Sequence, residues 1–556
     1  MIGVCCRENE KDIVREFFEL FKTPWQLYEP ERSYEVVLVT ANEIPKVDAN
    51  LLVIAGSEMK EGEGHLNITG GSQLRNVFVH QDGVQVPIYG NVLTFNKVGT
   101  TLISATSGSY IVGLKVETPT SKVIRLGYDL FQEIAFLLST GQPRENARIP
   151  TLDIHISMLR KWILSAGVPL IEIPPVPKDY NGSVCLTHDV DFARVTDHKW
   201  DHTLYGFLYR STIGSFLNLL RGRSSIKNCL INLGAALSLP LVYMGLKKDF
   251  WLQFENYLRI EKGLKSTYFF IPFKDRVGDK VTMPKAGFRA TRYDIKDVQD
   301  WAKLLLKEGY EVGVHGIDSW HDHEKGQLEL NEITKAVGVK VAGIRMHWLC
   351  FDSNSPKMLE EAGFAYDSTF GYNDAIGFRA GTAKVFRPLG VKRILEIPLH
   401  IQDVALFTYM NMTDEKASQR CKEIIDHVLT HGGVLTILWH GRSPAPERLW
   451  GNFYIALLEQ LKMHRVWFAT ASQITKWFEY RRSISFTHES LSGKELSLCL
   501  ESPGVLPHPG FCLRLYPPVS KERDSMEKTG NYIEIPWLGE KSITLSLGQL
   551  DSISVQ

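Results

Sequence analysis

Apolar and polar positions along this chain fall into three textures. Over residues 1–145, short apolar runs alternate with one helical stretch. EVVLVTA (35–41), NLLVIAG (50–56) and SYIVGLKV (109–116) read as strands. KVIRLGYDLFQEIAFLLSTG (122–141) sets Leu126, Leu130, Ile134, Leu137 and Leu138 on one helical face, and Gly141 and Pro143 stop it. The pattern predicts a small α/β domain over 1–150 that carries no chemical motif. Residues 151–182, ending in the proline-bearing IEIPPVPKDYNGS, read as a connector.

From 183 to 482, strand-like runs alternate with helical ones, the signature of parallel α/β architecture. The runs are SVCLTHDVD, STYFFIPF, YEVGVHG, VAGIRMHW, ILEIPLHIQD and VLTILWHG, and most end on His, Asp or Arg. Polar groups at the carboxyl ends of buried parallel strands converge on one rim, so a distorted (β/α) barrel with its site on that rim is expected. The helices NFYIALLEQLKMH and ASQITKWFEYRRS close it. One connection is much longer than usual and is read as a helical insertion over 195–262. Beyond 483 the runs ELSLCLES, FCLRLYP, YIEIPWL and SITLSL are short and separated by Pro, Gly and charged turns. They predict an all-β, sandwich-like domain over 483–556.

Composition changes this picture little. The 556 residues exceed one hydrophobic core and imply roughly two to four domains. Lys+Arg (63) equals Asp+Glu (63), so no global field draws nucleic acid, and none is expected as a partner. The eight cysteines form no C-x-x-C pair, and several sit in apolar runs as buried thiols do. The start, MIGVCCRENEKDIVREFF, has no apolar core of a secretory signal, so a cytoplasmic protein is expected.

Candidate chemistry begins at Thr187-His188-Asp189-Val190-Asp191. Two carboxylates two apart at a strand end can divide labour, one holding a cation and one serving as base. Such a pair can also simply cap a turn. A nucleotide-sugar glycosyltransferase uses Asp-x-Asp as well, but its magnesium or manganese takes oxygen ligands, whereas a zinc-type hydrolytic site adds imidazoles. His315, His347 and His440 each end or follow a separate strand-like run.

The ordered set resembles the polysaccharide deacetylase family, carbohydrate esterase family four, over about 180–480. THDVD is similar to its first motif, STYFF (266–270) to the strand that follows, and GYEVGVHGIDS to its H-[ST]-x-x-H motif. GIRMHWL at Arg345 resembles its third motif, and Leu438-Trp439-His440 its last. The resemblance implies Asp189 as general base, Asp191 and His315 as metal ligands, His440 as general acid and Arg345 as brace for the base. Asp367 is implied as the acid that orients the catalytic histidine. The family's second histidine would stand at 319, which is Ser319, a poor zinc ligand. His347 is therefore expected to replace it, with Asp318 as second choice and His321 or His323 as third. Arg379, in GFRAGT, is a candidate contact for an acidic sugar or phosphate.

The resemblance implies a divalent metal, zinc, and N-deacetylation of an acetamido sugar in a polysaccharide or lipid-linked glycan. An amidohydrolase on a non-sugar C–N bond, a glycosyltransferase using Asp189-x-Asp191 and a non-catalytic glycan-binding protein are the alternatives. The insertion adds one further expectation. CLINLGAALSLPLVYMGL (229–246) is uncharged, and the segment before it sets Tyr209, Ile213, Phe216, Leu217 and Leu220 on one face, with Arg210, Arg221 and Arg223 nearby. A single membrane crossing would separate Asp189 from His315. Residues 205–248 are expected either as helices buried against the barrel or as a peripheral contact with the inner membrane.

Overall fold

The computed structural model describes residues 1–96, 99–106, 110–280, 286–493, 495–518 and 532–546. The chain divides into two compact units. One joins residues 1–178, 380–382 and 477–556; the other holds 179–379 and 383–476.

The first unit is built on a nine-stranded mixed sheet. Its parallel part runs Trp25–Leu27, Ile2–Cys5, Val36–Val39, Leu51–Ala55 and Lys122–Leu126, and a long hairpin, Gly70–Gln81 with Val84–Phe95, extends it antiparallel. The stretch expected as one helix over 122–141 divides: Lys122–Leu126 is a strand, and the helix starts at Leu130, where Asp129 accepts from the backbone of Phe131 and Gln132. A strong N-cap carboxylate with Gly127 before it outweighs the helical spacing of Leu126. The expected connector holds the 15-residue helix Thr151–Ser165 and the strand Leu170–Glu172. That strand pairs with Phe511–Tyr516, so the C-terminal segment forms two three-stranded sheets, one of them completed by a strand from before residue 178.

The second unit is a parallel sheet. We number its strands β1 (Gly182–Val190), β2 (Ser266–Phe270), β3 (Glu311–Gly316), β4 (Ile344–Met346), β5 (Tyr366–Asp367), β6 (Leu395–Glu396), β7 (Ile401–Gln402), β8 (Val434–Leu438) and β9 (Val466–Phe468). The order is β6-β5-β4-β3-β2-β1-β8-β7, with β9 also on β1. All nine residues of β1 are buried, as expected for a strand covered on both faces.

Two observations show that this sheet is curled. Its edge strands β6 and β7 are only four residues apart in sequence, although six strands lie between them. The linking segment bonds to both sides: the Ile397 N–H donates to Asp367 O, and the His400 N–H donates to Thr436 O. ILEIPLHIQD, which reads as one strand, is thus two strands at opposite edges of the sheet. The second observation is Arg345 on β4, which reaches Asp189 on β1. In a flat sheet those strands would be about 14 Å apart.

The insertion is helical: His202–Tyr209, a π-helical turn Arg210–Gly214, Ser215–Leu220, Ile226–Tyr243 and Phe254–Ile260. Ala235, Leu239 and Val242 pack inward on Phe207, Phe250 and Trp251. The opposite side of Ile226–Tyr243 is also apolar, yet open: Leu230 is 64% and Leu237 74% exposed.

Candidate metal centre and active site

The site lies where the carboxyl ends of the curled strands meet. Asp189 lies near the end of β1 and Asp191 just after it, His315 is the last residue but one of β3, His347 follows β4, Asp403 follows β7 and His440 comes shortly after β8. Period-two alternation sends Thr187 and Asp189 inward. His188, between them, points to the outer layer and bonds the Trp439 carbonyl and buried Glu261.

Three donor atoms converge. Asp191 Oδ1 lies 3.1 Å from His315 Nε2 and 3.2 Å from His347 Nδ1, and the two nitrogens are 3.0 Å apart. Four-coordinate zinc with bonds of 2.0–2.1 Å requires donor atoms about 3.3 Å apart, so this triangle matches one face of such a site. Among the described residues these are the one group of three such side chains able to share an ion. The chemistry fits as well. His315 Nδ1 donates to Arg345 O at 2.9 Å, which leaves a lone pair on Nε2. Burial would raise the Asp191 carboxyl, but His347, His315 and His440 hold it well below the usual range, so it is ionised. Burial pushes His347 down to about 4 despite Asp191, so it is neutral.

His347 therefore stands where the resemblance lacked a histidine. Trp348 (φ 61°) and Leu349 (φ 48°) follow it in the left-handed region, a sharp turn that is strained for non-glycine residues. Arg289, buried and unnoticed in the sequence, braces this turn through the carbonyls of His347, Ile317 and Val277. The other candidate ligands are engaged elsewhere. Ser319 donates to buried Glu329 at 2.6 Å, Asp318 pairs with His321 at 3.1 Å, and His323 is half exposed beside Glu361.

Asp189 is held on one side only. Arg345 Nη1 donates to its Oδ1 at 3.1 Å and to Thr187 Oγ1 at 2.6 Å, while Nε and Nη2 bond Ser368. Asp189 Oδ2 lies 3.8 Å from His315 Nε2, at the centre of the site.

The acid that orients His440 is Asp403, where the resemblance put Asp367. Asp403 Oδ1 accepts from His440 Nδ1 at 2.6 Å, and Oδ2 accepts from the His440 backbone N–H and from Ser443. Burial would lower the His440 imidazole, but Asp403, Asp191 and Asp189 raise it to about 9, so it carries a proton at neutral pH. His440 Nε2 faces Asp191 Oδ2 at 3.6 Å. Asp367 is buried on β5 beside Glu396, bonded to Thr369, and burial pushes it up to about 6. Asp403 ends ILEIPLHIQD as a polar residue after an apolar run, which marks it as a rim residue but does not tell that it faces His440. Arg379 donates to Gly371 O at 2.9 Å and lies 4.4 Å over the Phe370 ring, which gives it a packing role.

No family model and no curated protein matches this chain. Among solved structures it is similar to a protein described as a polysaccharide deacetylase from Mycobacterium smegmatis. That match is 18% identical over 55% of this chain and 94% of the other, with TM-score 0.35. It is similar also to one so described from Pseudomonas aeruginosa PAO1 (15%, over 56% and 95%, TM-score 0.34) and to Puue allantoinase (15%, over 55% and 92%, TM-score 0.35).

Proposed function

We propose that the second unit is a metal-dependent N-deacetylase acting on an acetamido sugar of a polysaccharide or lipid-linked glycan, with zinc as its ion. The observation that carries this reading is the 3.0–3.2 Å triangle of Asp191, His315 and His347 between a carboxylate, Asp189, and a protonated imidazole, His440. An ion in that triangle would polarise the amide carbonyl and make water a better nucleophile.

The protein's own residues do the rest. Arg345 fixes Asp189 with Oδ2 turned inward, ready to accept a proton from the attacking water. Asp403 holds His440 with Nε2 facing the site, ready to give its proton to the departing amine. Acetate and a free amino group result. Two imidazoles among three donors disfavour a sugar-nucleotide transferase, whose ion takes oxygen ligands. Acetate release from N-acetylated oligosaccharides, followed together with metal content, tests the reading. Asp189→Asn is expected to keep the ion and lose acetate release; full activity in that variant overturns it.

We further infer that residues 205–248 contact the anionic inner face of a membrane, which makes the protein cytoplasmic and peripheral. Ile226–Tyr243 carries large apolar side chains on its open side as well as on its covered one, a pattern that normally means fuller burial. Tyr209, Ile213, Phe216 and Leu220 extend the open patch, and exposed Arg221, Arg223 and Lys227 sit at its turn. Arg210 is withdrawn into the protein and takes no part in this surface.

A further inference from the structure

Next to the site lies a second cluster that the hydrolytic chemistry leaves unused. Arg442 comes two residues after His440 and lies 3.7 Å over the ring of Phe192, the residue after Asp191, and 5.0 Å over Trp251. Arg448 lies 4.6 Å over Trp450. Arg210 opens the π-helical turn of the insertion, a backbone form that recurs at functional sites. Arg448 repels both of the others, and Arg210 also repels Arg442, so the three cations share one neighbourhood.

Among the described residues none of the three guanidinium groups has an ion-pair partner within 4 Å. Arg210 Nε, Arg442 Nη1 and Arg448 Nε and Nη1 are buried atoms without any acceptor among the described residues, on side chains that are otherwise partly exposed. The hydroxyls of Ser211 and Ser215, buried on the turn that Arg210 opens, also lack partners. Glu447 acts on Arg210 and Arg442, with Oε1 bonded to Trp251 Nε1 at 2.9 Å and Oε2 buried without a partner among the described residues. Asp191, which acts on Arg442, and Asp403, which Arg448 faces, are committed to the histidines of the site. Ring stacking positions Arg442 and Arg448 but leaves N–H groups at their edges without an acceptor. Three mutually repelling forks with buried, unsatisfied donors, and Glu447 as the one carboxylate not already committed to a histidine, suit a multiply charged acceptor.

We propose that Arg210, Arg442 and Arg448 bind a phosphoryl or diphosphoryl group carried by the substrate beside the acetamido group to be cleaved. This specifies the substrate of the proposed hydrolase and rests on that reading for the word substrate, though not for the site. A phosphoryl group is favoured over a carboxylate because its several oxygens and higher charge can engage three forks at once.

Calorimetric titration of the metal-loaded protein with inorganic pyrophosphate, N-acetylglucosamine 1-phosphate, N-acetylglucosamine and glucuronate tests this. Both phosphoryl compounds are expected to bind at least tenfold more tightly than either of the others. The double variant Arg210→Met/Arg448→Met should lose at least tenfold, and Arg448→Lys should lose less. Removing like charges should not lower the melting temperature, so circular dichroism and melting show that the variants are folded. Asp191→Ala, which lacks the ion, should still bind pyrophosphate. Pyrophosphate binding that depends on Asp191 and is indifferent to the arginines puts the anion on the metal and overturns the proposal. So does glucuronate binding as tightly as the phosphoryl compounds, or no binding to the wild type.

Vesicles of phosphatidylcholine with and without phosphatidic acid distinguish the source. Arginine-dependent binding to phosphatidic acid indicates a lipid-borne phosphoryl group; arginine-dependent binding of the sugar phosphate alone indicates a soluble one. Acetate release reports separately on the hydrolase. Release without anion binding removes this inference only, and anion binding without release removes the hydrolase only.

Discussion

At the scale of single residues, two histidine nitrogens face each other at 3.0 Å with a carboxylate oxygen against both. Such a cluster is best relieved by a cation between them. Replacing His347 by Ala is therefore expected to reduce metal affinity as much as replacing His315, as measured by competition with a chelator, while Ser319→Ala should leave it unchanged. Ser319 is fully buried against Glu329 and close to Gly326, so Ser319→His should destabilise the fold by ~1–3 kcal/mol without tightening metal binding. Asp403 acts through His440 and is a positioning residue. Asp403→Asn is predicted to lower kcat on the order of a hundredfold or more with little change in KM, and to shift the acidic group seen in the pH–rate profile. The ligands and the base were legible because each follows an apolar run at a strand end. The partner of His440 was not. Choosing Asp403 over Asp367 requires knowing that β7 lies against β8, and β7 is only two residues long.

At the scale of elements, the insertion gives the sharpest expectation. Leu230→Glu/Leu237→Glu replaces side chains that touch little of the protein, so the melting temperature should hold while sedimentation with anionic liposomes is lost. Arg221→Glu/Arg223→Glu should weaken that binding at low salt in particular. Binding of both variants at the wild-type level would remove the membrane proposal. The helix Leu130–Ser139 carries a pH-dependent element. Glu133 accepts from the backbone N–H groups of Tyr89 and Gly90, but burial outweighs them and raises its carboxyl to about 7. Between its ordinary value near 4.5 and about 7, the folded form keeps a proton that the unfolded form has released. Stability of this unit should therefore fall as pH rises through that window, by roughly 3 kcal/mol at most, and Glu133→Gln should flatten the profile of denaturation midpoints. The parallel strands of the second unit and its closing helices were readable from periodicity, whereas the helix Thr151–Ser165 lay in what reads as a connector. The Gly70–Phe95 hairpin was not readable, because most of its first strand is exposed and its apolar positions are confined to Leu74 and Val77–Val79.

At the scale of the whole molecule, the chain divides by contact and not by sequence order. Arg481, buried near the C-terminal end of a helix, donates to the carbonyls of Glu19 and Ile173, and Arg482 forms a two-pronged pair with Glu16 at 2.6 and 2.9 Å. These join residues more than 300 positions apart within one unit, which no local pattern could reveal. Glu16→Ala would leave Arg482 without this partner in a nearly buried position. It should cost the first unit ~3–5 kcal/mol, read as a lowered first transition in calorimetry while metal binding is retained.

The strand Leu170–Glu172 adds a consequence in time. Its partner, Phe511–Tyr516, is made more than three hundred residues later. At ~5–20 residues per second, the first unit waits on the order of fifteen seconds to a minute on the ribosome with that strand unpaired. The second unit, one nearly unbroken stretch of chain, can fold in the interval. Slowing translation should therefore lengthen the dependence of the nascent chain on chaperones that shield strand edges.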